Sequence, residues 1–390
     1  MPLGVYISVP FCRTKCTYCN FASDVFSQAV FERYVERVCA DILRSAATTE
    51  AMGGRIEREA DSIYLGGGTP SLLDITQLRR LFVTISQNFT VDAGAEITVE
   101  CAPGTLKPET IETLRACGVN RVSLGVQSFV DREAASVGRL HMRKMVLDDI
   151  ANLRAAGIEN INVDLIAGLP HQTAESWEFS LAEVIATGVP HASVYMLEVD
   201  QDSRLGRELI AGGAKYHAHF VPDEELTADM YDMACERLGA AGIPQYEISN
   251  FAVRGQESRH NLKYWTRQPY MGFGVDAHSM LHGANQGSVR FSTPDSLEQY
   301  VAGGEFRRTE IDKRAAIEEV FFLGLRLNRG VDLSQVEKEF GVAAVEEFSA
   351  AIEECVESGL LECAGTVIRL TARGRLLSNE VFECFISAAV

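Results

Sequence analysis

The sequence predicts an α/β chain: a partial (β/α)6 TIM-like barrel followed by a small C-terminal winged-helix-like α/β domain. Three observations carry this. Short β-rich runs alternate six times with amphipathic helical stretches in the first half, and βα units in series imply parallel strands with right-handed crossovers. An open doubly wound sheet would satisfy that pattern too. However, the ends of successive strand candidates carry Cys12, Gly66–Thr69, Glu100, Gln127 and Asp164. Small and polar residues delivered to one rim are what a barrel with chemistry at its C-terminal face requires. Finally, the last stretch of chain changes character, from helical patterns to a short hairpin.

The strand candidates are GVYISVP (4–10), SIYLGG (62–67), EITVECA (96–102), RVSLGVQS (121–128), INVDLIAG (161–168) and ASVYMLEV (192–199). Helical patterns fill the gaps at 29–47, 74–87, 108–117, 143–156 and 174–187. Pro108 suits a first helical turn, and Gly118, Gly157 and Gly188 suit helix ends. From 201 to 282 the pattern loosens: 211–222 reads as a loop, 223–241 as a helix, and PQYEISNFA as a strand and its exit. Residues 294–308 read as a linker, which places the domains at 1–300 and 301–390. In the second, 313–328, 333–340 and 344–358 read as helices, LLECAGTVIRLT as a hairpin and 373–385 as a closing helix.

The chain has 390 residues, 46% of them hydrophobic, enough for a large core. A net charge of −18 repels phosphate backbones, and the C-terminal segment is rich in Glu without a basic helix, so nucleic acid is not an expected partner. No apolar run is long enough to span a bilayer. The start MPLGVYISVPF lacks a basic flank and a small-residue cleavage site, and a cytoplasmic location is expected. Three of the ten cysteines fall within eight residues, which in a reducing compartment reads as metal binding.

That cluster is FCRTKCTYCNF, with Cys12, Cys16 and Cys19 in a C-x3-C-x2-C spacing just after the first strand. Three thiolates can ligate three irons of a [4Fe–4S] cluster and leave the fourth open. Structural zinc wants four closed ligands, and no fourth candidate lies in the loop. GGGTPS (66–71) ends the second strand, where glycines let backbone approach a ligand closely.

Together with YLGGGTPS, ITVECAP, RVSLGVQSF, GRLH, NVDLIAGLP, YEISNFA, HNLKYW and GFGVDAHS, this loop resembles radical SAM proteins, and more closely the HemN/HemW-like group. The resemblance runs almost the whole length. It implies that Cys12, Cys16 and Cys19 hold the cluster and that S-adenosylmethionine chelates the open iron. Gly67, Gly68 and Thr69 would line its methionine moiety, and Tyr6, Glu100, Gln127, Arg139 and Asp164 would contact the cofactor. Carboxylates suit an ammonium or ribose hydroxyls, and Arg139 suits a carboxylate. The implied chemistry is one-electron cleavage of the sulfonium to a 5′-deoxyadenosyl radical.

Two branches share these motifs: oxidative decarboxylases of coproporphyrinogen III, and heme chaperones. The decarboxylases carry a fourth cysteine two residues past the third, where this chain has Phe21. That departure puts decarboxylase activity in doubt, so no residue is assigned a catalytic role. HNLKYW (260–265) matches a motif that accompanies heme binding, which makes His260 the candidate axial ligand, with Tyr264 and Trp265 against the porphyrin. The expected cargo is heme, and the expected partners are heme-receiving client proteins, respiratory enzymes at the membrane among them. His278 and His282, four apart, would share a helix face, His217 and His219 would be solvated, and the remaining cysteines would be buried free thiols.

Overall fold

The computed structural model describes residues 1–283 and 287–386. Twelve strands form one sheet: β1 (Leu3–Val9), β2 (Glu59–Gly67), β3 (Thr90–Cys101), β4 (Arg121–Gln127), β5 (Asn160–Ala167), β6 (His191–Met196), β7 (Gln245–Glu247), β8 (Asn250–Ala252), β9 (Tyr270–Gly274), β10 (His278–His282), β11 (Ser288–Ser292) and β12 (Arg307–Ile311). The spatial order is β12-β11-β10-β9-β1-β2-β3-β4-β5-β6-β8-β7. Strands β1 to β6 are neighbours in chain order and all parallel, as six βα units demand. A second sheet, β13 (Val331–Asp332), β14 (Leu361–Ala364) and β15 (Val367–Leu370), belongs to the C-terminal unit.

Side chains on a strand alternate between faces, and here the alternation separates two functions. Val5, Ile7, Ile63, Leu65, Val99, Val122, Leu124, Val163, Leu165 and Val194 are buried in one continuous core with the covering helices. Their neighbours Tyr6, Tyr64, Glu100, Ser123, Asn162, Asp164 and Ser193 line a cavity on the other face. Local signals set the helices that cover the outer face. Asp74 accepts from the N–H groups of Thr76 and Gln77 while the Gln77 side chain returns to Asp74 N–H, opening the helix Ile75–Asn88. Gly188, at φ 64°, closes the helix Ala174–Thr187.

The second core gathers Ile317, Phe321, Phe348, Ile352, Leu361, Ile368, Val381 and Phe385, with the Phe321 ring 4.8 and 4.9 Å from those of Phe348 and Phe385. The unit is tied to the barrel through backbone. Ile248 N–H donates to Arg326 O at 3.2 Å, and Asn328 N–H donates to Tyr246 O at 3.0 Å.

Several expectations are corrected. The stretch 294–308 is not a linker: it holds the helix Leu297–Ala302 and the start of β12, which pairs along its length with β11. Four of the five β12 residues are exposed, so this edge strand has no apolar alternation to read. The segment 211–222 begins at the end of a helix, Arg204–Ala211, and contains a 3₁₀ turn at Ala218–Phe220. His278 and His282 lie on a strand, β10. The pattern 29–47 is two helices, Gln28–Leu43 and Ser45–Ala51. The closing helix is likewise two short pieces, Ala372–Leu376 and Ser378–Glu383.

Candidate functional site

A cavity of about 910 Å³ runs through the inward face of the barrel. Cys12, Cys16 and Cys19 border it from the loop after β1, and all three are free thiols. Backbone bonds pin the loop: Cys12 N–H donates to Asp24 O at 3.0 Å, Gly68 N–H to Val9 O at 2.7 Å, and Thr69 N–H to Phe11 O at 2.7 Å. A Cβ on Gly68 would sit 2.6 Å from Phe11 O and 3.0 Å from Cys12 Sγ, so only glycine lets β2 lie this close to the thiol loop. Burial pushes the Cys12 and Cys19 thiols upward. Three thiolates at this place therefore call for a cationic group to offset their charge. The donor set, soft, threefold and without a fourth cysteine in the loop, fits the iron–sulfur cluster inferred from the spacing.

Two carboxylates face the same cavity. Glu100 accepts from Tyr64 Oη at 2.7 Å through Oε1 and from Gly67 N–H at 3.1 Å through Oε2. Burial first, and the Asp164 charge next, push its carboxyl up to about 7, while the bonds from Tyr64 and Gly67 oppose the rise. Asp164 accepts from Ser123 Oγ at 3.0 Å and Asn162 Nδ2 at 2.7 Å. Arg139 donates to Gly125 O and lies 3.6 Å from Cys16 Sγ. Gln127 is held at φ 70°, beside a register shift in the β4–β5 ladder. A residue with a side chain is uncommon in left-handed backbone. Tyr6 completes the wall, its ring 6.1 Å from that of Tyr64. Every cofactor-facing residue expected from the sequence thus lines this one cavity.

The expected heme ligand does not present a free nitrogen. His260 is 1% exposed. Its Nδ1 lies 3.0 Å from Ser62 Oγ and its Nε2 lies 2.9 Å from Tyr264 Oη. Burial, with Lys263 adding to it, lowers the imidazole to about 3, so the ring is neutral. It packs at 5.3 Å from the Tyr64 ring. It forms part of the cavity floor beneath Tyr6 and Tyr64, on the helix Arg259–Trp265. Phe21 is 64% exposed at the cavity mouth. His171, His217, His219, His278 and His282 stand outside the cavity.

Sequence reading overlooked the deeper lining: Arg121, Asn162, His191, Ser193 and, from the C-terminal unit, Arg326, Ser378 and Asn379. Asn162, His191 and Ser193 were accessible through the alternation of β5 and β6, where polar residues occupy every inward position of INVD and HASV. No helix among the described residues is long and apolar enough to cross a membrane.

Comparisons with known proteins agree with this geometry. Residues 6–184 match the Radical SAM superfamily and residues 311–377 the HemN C-terminal domain. The structure of coproporphyrinogen III oxidase (HemN) from Escherichia coli superposes with a TM-score of 0.83 at 25% identity, covering 98% of this chain and 90% of that one. The heme chaperone HemW of Escherichia coli (strain K12) is 28% identical, over 99% of this chain and 98% of its own. That of Bacillus subtilis (strain 168) is 34% identical, over 98% of this chain and 99% of its own. The chain therefore belongs to the HemW family of radical SAM proteins.

Proposed function

We propose that this protein binds heme and delivers it to client proteins, with a [4Fe–4S] cluster and S-adenosylmethionine as resident cofactors. The observation that carries the reading is the convergence of three unpaired thiols and an unusually polar strand face on one cavity. Cys12, Cys16 and Cys19 would hold the cluster, which when bound supplies one-electron reduction of a sulfonium. Gly67, Gly68 and Thr69 offer close-approach backbone for the methionine end of S-adenosylmethionine. Glu100 and Asp164 offer carboxylates for its ammonium and ribose hydroxyls, and Arg139 offers a guanidinium for its carboxylate. Tyr6 and Gln127 close the wall around it.

The exposed Phe21 at the position of a fourth cysteine favours carriage of heme over decarboxylation of a porphyrinogen. Heme-receiving respiratory enzymes are the proposed clients, and the cytoplasm the proposed compartment. His260, with both nitrogens engaged, reaches an iron only by giving up Ser62 or Tyr264, so its proposed role is to hold the cavity floor.

The test is an anaerobic heme titration of the cluster-loaded protein, followed by transfer to a heme-free acceptor. Saturable, near-stoichiometric binding with transfer supports the carrier. Binding that never saturates, together with 5′-deoxyadenosine release and decarboxylation when coproporphyrinogen III is supplied, identifies the enzyme instead.

A further inference from the structure

Four basic side chains line the cavity: Lys15, Arg121, Arg139 and Arg326. Three of them spend donors on the protein. Lys15 Nζ donates to Phe21 O at 3.4 Å. Arg121 donates to Asn160 Oδ1 at 2.8 Å and Gln256 O at 3.1 Å. Arg139 donates to Gly125 O. Among the described residues the Arg326 guanidinium makes no hydrogen bond, and its Nε is buried without a partner.

Its position is nevertheless fixed. The guanidinium lies 4.3 Å over the Trp265 ring. Its backbone is bonded to Ile248, and it forms an ion pair at 3.8 Å with the buried Glu247 carboxylate, too long for a hydrogen bond, so its donors remain open to a second anion. Glu247 Oε2 is itself buried without a hydrogen-bond partner. A guanidinium offers five donors in a planar fork, and leaving donors unmet away from water is costly. A fixed, charged fork with free donors on a cavity wall has the makings of an anion site. Ser378 and Asn379, also from the C-terminal unit, border the same cavity, and their side chains too make no hydrogen bond among the described residues.

We propose that Arg326, with Ser378 and Asn379, is the carboxylate subsite of the cavity and takes a propionate of the bound tetrapyrrole. This rests on the heme reading above, and it assigns the C-terminal unit a direct part in holding cargo. The chemistry is a charge-assisted, bidentate guanidinium–carboxylate pair. The same pair would serve heme or a metal-free porphyrin.

The test compares heme, heme dimethyl ester and coproporphyrin III on the cluster-loaded wild type, R326Q and R326K. The expected result is weaker binding of the ester than of heme to the wild type. R326Q should lose about tenfold to a hundredfold in heme affinity while binding the ester as the wild type does, and R326K should recover part of the loss. Equal affinity of the wild type for heme and ester overturns the subsite, whatever the variants do. An ester effect that persists undiminished in R326Q overturns Arg326 as its cation. If heme fails to bind the wild type, the heme reading falls; Arg326-dependent binding of coproporphyrin III would then still uphold the subsite, and its absence would remove both. Cluster content and thermal unfolding of each variant separate loss of the subsite from loss of the fold.

Discussion

The two faces of the parallel strands differ in kind although their residues alternate in one chain. Outward, Val99, Val122, Leu124 and Val163 are fully buried against helices. Inward, Ser123, Asn162 and Asp164 are joined by hydrogen bonds, and Glu100 is bonded to Tyr64, around a space. The first face supplies stability by removing apolar area from water. The second gives some of it up, because buried carboxylates and hydroxyls are costly to desolvate. Substitutions on the two faces should therefore separate stability from binding.

The largest expected effect is on binding alone. Replacing Cys12, Cys16 and Cys19 together by Ala should abolish iron incorporation, measured by iron and sulfide content, while the cluster-free protein keeps its unfolding free energy within about 0.5–1.5 kcal/mol of the cluster-free parent. A large loss of stability would show that the thiol loop is part of the core. On the outward face, Leu124→Ala should cost about 2–5 kcal/mol in denaturant unfolding and leave cluster content per folded molecule unchanged.

His260→Ala tests the boundary between the faces. It strips the partners from Ser62 Oγ and Tyr264 Oη, each buried group costing about 1–3 kcal/mol if left unpaired. The Soret position of bound heme should not move; a shift would show that the imidazole reaches the iron after all.

The smallest effect is a pH slope. Glu100 binds its proton more tightly in the folded chain than in the unfolded one, since its carboxyl sits at about 7 instead of the ordinary 4.5. The ligand-free protein should therefore lose stability as pH rises from the ordinary carboxylate range through about 7. Glu100→Gln should flatten that slope and be the more stable protein at pH 8. S-adenosylmethionine, bringing positive charge, should bind the wild type more tightly above pH 7 than below it, and E100Q should lose that dependence.

How far all this was legible depends on what each element had to bury. Strands β1 to β6 announced themselves because one face is uniformly apolar, and GVYISVP or RVSLGVQ shows the period of two directly. The thiol loop was legible because its chemistry lies in spacing. Strand β12 was not, since Arg307 to Glu310 all face water and only Ile311 is buried, a composition that reads as a linker. His260 stood out through the HNLKYW motif, whereas its bond to Ser62, some 200 residues earlier, shows only in the fold. Arg326 was hidden for a similar reason. FFLGLRLNRG reads as continuing helix, yet the helix ends at Gly324 and the next residues turn to meet β7 and β8.

That meeting has a consequence for solubility. A twelve-stranded sheet has two edges, and an unpaired edge is a template for another chain. At one end β12 guards itself with Arg307, Arg308 and Glu310, all exposed. At the other, β7 is only three residues long, and what covers it is backbone from the C-terminal unit: Glu247 bridged to Leu327, Tyr246 O bonded to Asn328. A chain shortened before Lys313 would keep the whole thiol loop but bare that edge, and should self-associate through it.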